Sequence, residues 1–285
     1  MKKILVPCDF YNASREAIDF AVQMALRSNG EVIVLHTIFA PSMHDLYFDR
    51  ALTSEYKSEY ITELTNKANN EFNILKEGIG DPDIPITFEI LYGELIATIK
   101  QAIPLWNIDL IIMGTSGASG WDEIFIGSHT EKVIRHAPVP VLTVGKAPKI
   151  SAINKILLPS LLVHNQPFFM DKVKELQEFF HANLQVLLVN TPFRFQPDAE
   201  AKAKMIEFAD HYNLRDFELH FVNDWNEELG ILNFAQKEKT GMIAMATHSR
   251  KGLSHLFNGS IAEDVANHNQ CPVWTYSIKD QHGYS

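Results

Sequence analysis

In GTSGASGWDEIFIGS, residues 114–128, Gly114, Gly117 and Gly120 recur at three-residue intervals, and Gly127 stands directly before Ser128. Glycine at 114 and 117 can take positive φ and lets a ligand approach the backbone with no Cβ in the way. Amide N–H groups turned inward along such a run form an anion nest. Ser128-His129-Thr130-Glu131 has the pattern of a capping box at a helix start. A helix N-terminus with free amides carries about half a positive charge and accepts phosphate. The chemistry these types and spacings offer is phosphate binding. No lysine follows as in GxxxxGK[ST], and no GxGxxG follows the first apolar run, so neither a P-loop nor a dinucleotide fingerprint is present. On spacing alone, a glycine-rich connection into an ordinary capped helix fits equally well.

The elements around the loop decide where it sits. ILVP (4–7), VIVLHTI (32–38), ITFEIL (86–91), LIIMG (110–114) and VPVLTV (139–144) are runs of strand length, most with no polar face. That is expected of a parallel sheet covered by helices on both sides. SREAIDFAVQMALRSNG (14–30) has helical periodicity and stops at Asn29-Gly30, and a longer helical stretch runs from about 52 to 79. The fold class is α/β, with an open doubly wound five-stranded parallel sheet. Ligands of such sheets bind beyond the carboxyl ends of the strands, at the switch point of strand order. Asp9 ends the first strand and Gly114 the fourth.

The unit occurs twice. KKILVPCDF (2–10) resembles NKILLPSLL (154–162), and residues 109–144 align without gaps on residues 241–276. The first copy carries about twenty extra residues in its middle. GKAPKISAIN (145–154) joins the copies, with turn formers Gly145 and Pro148. Two tandem doubly wound domains are expected, 1–146 with the complete motif and 152–280 with a degenerate one.

Composition narrows the function classes. An apolar fraction of 46% and a charged fraction of 21% are those of a soluble globular chain. The net charge of −10 argues against a general nucleic-acid binder. The N-terminus lacks a signal-peptide pattern, and no window approaches the roughly 18 apolar residues of a membrane span. No membrane association and a cytoplasmic location are expected. Cys8 and Cys271 form no CxxC, and the twelve histidines show no HExxH, so no metal site is expected. Cys8 is read as a buried strand-end residue in preference to a redox group. No Ser-His-Asp arrangement is identifiable, and no catalytic residue is assigned.

The ordered motifs resemble those of the universal stress protein family. ATP-binding members of that family carry Gly, two residues, Gly, nine residues, Gly, then Ser or Thr. This chain has Gly114, Thr115-Ser116, Gly117, nine residues, then Gly127-Ser128. Pro7-Cys8-Asp9-Phe10 fits the family's opening strand, with Tyr11 in place of its serine. Leu35-His36-Thr37 fits the second strand, and Ala137-Pro138-Val139-Pro140-Val141 the closing one. The resemblance implies ATP or another adenine nucleotide as ligand, with Mg2+ as a candidate companion of the phosphates. Pro7, Cys8 and Asp9 would meet the ribose or base edge, and Thr37 and Met113 would line the base pocket. Gly114, Gly117, Gly127, Ser128 and His129 would hold ribose and phosphates. Asp9 also has the alternative reading of a turn or helix-capping residue, and Met113 that of a core residue.

The second copy departs at these positions. Ala246 stands for Gly114, Ser249 for Gly117 and Leu161 for Asp9, while Gly259-Ser260 and the Ser260–Glu263 pattern remain. A structural or regulatory half with weak or no ATP binding is expected. THSRKG (247–252) is a solvated loop or a site for a different anion. The functional expectation is an ATP-binding stress-response regulator. The alternative is a slow ATPase or phosphoryl or nucleotidyl transfer enzyme using the same loop. A third reading, action by protein contacts alone, fits the complete motif less well. Each copy ends in an apolar strand that would be an open sheet edge. The copies are therefore expected to pack as an intrachain pseudo-dimer through these strands, and tandem chains to pair again as a homodimer.

Overall fold

A computed structural model of the chain describes residues 1–39, 54–117, 124–125, 127–146, 148–248, 259–268 and 271–278. The first half runs β1 (Lys3–Pro7), α1 (Asn12–Ser28), β2 (Glu31–Ile38), α2 (Ser54–Ile79), β3 (Ile86–Tyr92), α3 (Leu95–Trp106) and β4 (Leu110–Gly114). Two antiparallel strands of two residues each, β5 (Ser116–Gly117) and β6 (Ile124–Phe125), precede α4 (Ser128–His136) and β7 (Val141–Val144). The second half repeats the order: β8 (Lys155–Pro159), α5 (Pro167–Phe180), β9 (Asn183–Asn190), α6 (Asp198–His211), β10 (Phe217–Asn223), α7 (Glu227–Glu238), β11 (Met242–His248), α8 (Gly259–His268) and β12 (Val273–Ile278). The alternation of strand and helix is the one the sequence predicts, and most strand bounds agree to within a residue or two.

β3, β2, β1, β4 and β7 lie side by side in parallel, and β10, β9, β8, β11 and β12 do the same. β7 and β12 pair antiparallel, with Trp274 opposite Leu142, so the halves share one ten-stranded sheet. Their threonines bond reciprocally across the seam. Thr143 Oγ1 donates to the Val273 carbonyl at 3.2 Å, and Thr275 Oγ1 to the Val141 carbonyl at 3.1 Å. Two strands that would each leave a row of unpaired backbone groups thus satisfy one another.

Both faces of the sheet are covered. Ile4, Val6, Leu110 and Ile112 pack under α1, in a layer that continues across the seam to residues of α5 and α6. Leu5, Ile111 and Met113 pack against α3 and α4, in a layer that reaches α7 and α8. The alternation along each central strand sends successive side chains to opposite layers, which is why these strands show no polar face. Helix α1 stops where its sequence says it should: Asn29 takes φ 49°, and the Gly30 amide bonds back to the Ala25 carbonyl at 2.9 Å.

Glycine at 114 answers to the protein itself. A Cβ built there would run into the Ala13 carbonyl in the first turn of α1. The aligned Ala246 is tolerated in the second half, where the connection after the first strand is longer. Residues 8–11 separate β1 from α1, whereas residues 160–166 separate β8 from α5, so α5 begins about one turn later in the aligned sequence. We expect Gly114→Ala to destabilise the chain by about 1–3 kcal/mol, the usual cost of overpacking. Urea denaturation checks this, and unchanged stability would show that α1 can yield at this point.

Candidate functional site

β1 lies between β2 and β4, so the strand order turns back between β1 and β4 and their carboxyl ends, Pro7 and Gly114, are neighbours. This is the switch point at which doubly wound sheets hold ligands. The chain leaves β1 through a tight turn. The Cys8 amide still bonds to the Leu35 carbonyl at 2.8 Å, as if the strand continued for one more residue. Phe10 then takes φ 67°, a left-handed conformation rare for a bulky side chain. Its amide donates to Cys8 Sγ at 3.3 Å. Across the turn, His36 Nδ1 lies 2.8 Å from the Cys8 carbonyl oxygen.

Asp9 is exposed at the tip of this turn. Its Oδ1 accepts from the Tyr11 amide at 3.1 Å and from Ser14 Oγ at 2.9 Å. The turn-forming reading of Asp9 is therefore realised by one oxygen, while Oδ2 has no partner among the described residues. Cys8 is buried, and its Sγ lies 3.5 Å from Ser14 Oγ. Burial pushes the thiol pKa up, only partly offset by the Ser14 hydroxyl and the Phe10 amide. A thiol held protonated in this way is a poor nucleophile, and its role is to complete the turn.

Thr37, near the end of β2, sits with its Oγ1 3.1 Å from Thr98 Oγ1 of α3. Thr98 gives its own hydroxyl hydrogen to the Leu95 carbonyl at 2.8 Å, so Thr37 donates to Thr98 and keeps its lone pairs. Met113 is only 6% exposed and packs in the layer beneath α3 and α4. Pro7, Cys8, Asp9 and Gly114 thus come together at the switch point, with Thr37 at the neighbouring strand end. Gly117 is paired opposite Ile124. Gly120, Asp122 and Glu123 of the same loop lie outside the described residues.

Helix α4 corrects one expectation. Its N-cap is Gly127, extended at φ −64° and ψ 149°, and no side chain caps the helix. The Gly127 carbonyl takes the amides of Thr130 at 2.9 Å and Glu131 at 3.2 Å. Ser128 is therefore the first helical residue, too far along for its hydroxyl to close a capping box. The consequence is an emptier helix end than the sequence suggests. The Ser128 and His129 amides and the Ser128 hydroxyl have no acceptor or donor among the described residues, and all three residues from Gly127 to His129 are exposed. A Cβ on Gly127 would meet nothing within 4 Å. Its glycine is required neither by φ nor by packing among the described residues.

The second half keeps the turn and changes its chemistry. Leu162 takes φ 59° in place of Phe10, and its amide donates to Ser160 Oγ at 2.9 Å, as Phe10 does to Cys8 Sγ. Leu161 replaces Asp9, Leu188 replaces His36 and Val189 replaces Thr37, as the paired strand registers show. Ser249, Arg250 and Lys251 lie outside the described residues. Among the described residues no group of three His, Cys, Asp or Glu side chains could hold a metal ion, and no helix is long and apolar enough to cross a membrane. Sequence reasoning passed over Ser14, Thr98 and the part His36 plays, although His36 stood inside a quoted motif.

Residues 1–145 and 170–277 match the model of the universal stress protein family. A universal stress protein of Methanocaldococcus jannaschii is 32% identical over 149 residues, covering 52% of this chain and 84% of that protein. A second from the same organism is 29% identical over 155 residues, covering 51% and 95%. A solved universal stress protein from Archaeoglobus fulgidus is alike over both halves, with a TM-score of 0.69 at 19% identity, covering 96% of this chain and 98% of that one. These two Methanocaldococcus relatives each match about half of this chain, and the likeness to the Archaeoglobus protein extends over both halves. With its sequence matched over both segments, the chain belongs to the universal stress protein family.

Proposed function

We propose that the first half binds an adenine nucleotide, ATP in the first instance, and that binding serves a regulatory role in the stress response. The observation that carries this reading is the bare N-terminus of α4. Among the described residues, two unpaired amides, a free hydroxyl and open space above Gly127 lie on the carboxyl side of the sheet, at the start of the helix that follows β4. Phosphate oxygens would take the Ser128 and His129 amides and the Ser128 hydroxyl, where the helix dipole favours negative charge. Asp9 Oδ2 and the Thr37 hydroxyl, both at neighbouring strand ends, would serve the ribose and base, and Met113 would form apolar floor. Gly114 keeps α1 close behind the site, and Gly117 fixes the start of the loop. Mg2+ is placed with the phosphates themselves, since this ion is commonly held by phosphate oxygens and water.

The units 1–146 and 152–280 are proposed as the functional domains, acting in the cytoplasm. The second lacks the acceptor at 161 and the hydroxyl at 189, so it would act as structural or regulatory partner. The β7–β12 seam would make the two an intrachain counterpart of a dimer, and a homodimer of chains is a further proposal. The second reading is slow turnover at the same loop. No lysine or arginine stands between residues 114 and 131 to stabilise charge on a transferring phosphoryl group, which favours binding over catalysis.

Calorimetric titration with ATP should give about one site per chain. Two equally tight sites would overturn the assignment to the first half. Gly127→Val should abolish binding with the fold intact, because the added side chain enters open space in the free protein and ligand space in the complex; unchanged affinity would remove α4 from the site. Hydrolysis should stay well below about one turnover per second, the low end of ordinary enzyme rates. A faster rate that Gly127→Val eliminates would put the enzyme reading first.

A further inference from the structure

We infer that His36 is a positioning residue for the nucleotide site, clamping the Cys8 carbonyl so that the Asp9 carboxylate is presented at the switch point. This rests on the nucleotide reading above and goes beyond it, since His36 itself need not touch the ligand.

A carbonyl oxygen can only accept, so the 2.8 Å contact means that His36 Nδ1 carries the hydrogen. The Cys8 carbonyl and the Asp9 amide are the two ends of one rigid peptide plane. Holding the carbonyl therefore fixes the plane that carries the Asp9 Cα, and the bonds of Oδ1 to the Tyr11 amide and Ser14 hydroxyl orient the side chain from it. The imidazole is itself held. Phe10 lies against it with ring centres 5.0 Å apart, and packs in turn on Phe88 at 6.0 Å. Phe88 stacks on Phe72 of α2 at 4.4 Å. The Tyr11 amide and Ser14 hydroxyl take Asp9 Oδ1 from the other side, leaving Oδ2 as the acceptor a ligand can reach.

The second half serves as an internal comparison. It builds the same left-handed turn with Ser160 and Leu162, yet has Leu188, 3% exposed, where the first half has His36. No side chain among the described residues donates to the Ser160 carbonyl. The turn therefore folds without the histidine clamp. What the first half has in addition is Asp9, which Leu161 replaces in the second. The clamp accompanies the carboxylate and not the turn.

The test is ATP affinity by calorimetry on the full chain, arranged as a double-mutant cycle. His36→Leu, which copies the packing of the second half, should fold and bind ATP about tenfold more weakly. His36→Asn, whose amide nitrogen can occupy the place of Nδ1, should restore most of the affinity. In an Asp9→Asn background, His36→Leu should cost less than about twofold further, because it acts through Asp9. His36→Phe keeps the stack on Phe10 without the donor and must show the same loss, which covers a His36→Leu chain that fails to fold. Wild-type affinity in the donor-free variants, or losses that multiply in the double variant, would overturn the inference and leave the nucleotide reading standing. A wild-type chain that binds no ATP would instead overturn the nucleotide reading.

Discussion

β1 is hydrogen-bonded to β2 on one side and to β4 on the other, and the connections on its two flanks must leave in opposite directions along the sheet. That geometry opens a gap beyond its carboxyl end. The short connection from Pro7 to Asn12 borders the gap with one turn, and the end of β4 at Gly114 lies beside it. α1 is held close enough that its Ala13 carbonyl rests on Gly114. A looser α1 would let the turn carrying Asp9 drift. Backbone packing thus sets the frame within which the hydrogen bonds of the turn hold its polar groups.

The two halves show how far one fold can carry different chemistry. Strand order, left-handed turn and sulfur or oxygen acceptor are the same in both. At the strand ends the side chains differ: a carboxylate against a leucine, a threonine against a valine, a histidine against a leucine. Each exchange in the second half removes a hydrogen-bonding group and leaves an apolar one, and the fold is kept.

Much of this architecture was legible because it depends on short-range patterns. Alternation and apolar runs marked the strands, Asn29-Gly30 marked the end of α1, and self-similarity revealed the repeat. Of the candidate site, the neighbouring strand ends at Asp9 and Gly114 were legible, while residues 118–123 of the loop lie outside the described residues. Three features were not. The Ser128–Glu131 spacing mimics a capping box, but Gly127 takes the cap position because its extended backbone already lets its carbonyl receive the Thr130 and Glu131 amides. Gly114 satisfies a steric demand from a helix a hundred residues earlier, which a glycine motif cannot distinguish from a demand made by a ligand. The bond from His36 to the Cys8 carbonyl joins positions 28 apart and follows no periodicity.

The seam between β7 and β12 has a bearing on concentration. Strands from separate subunits meet only as often as mass action allows, and such a sheet comes apart on dilution. Here the partner strand is covalently attached, so closure of the sheet is a first-order event at a fixed local concentration. The two halves stay joined in a scarce protein as firmly as in an abundant one.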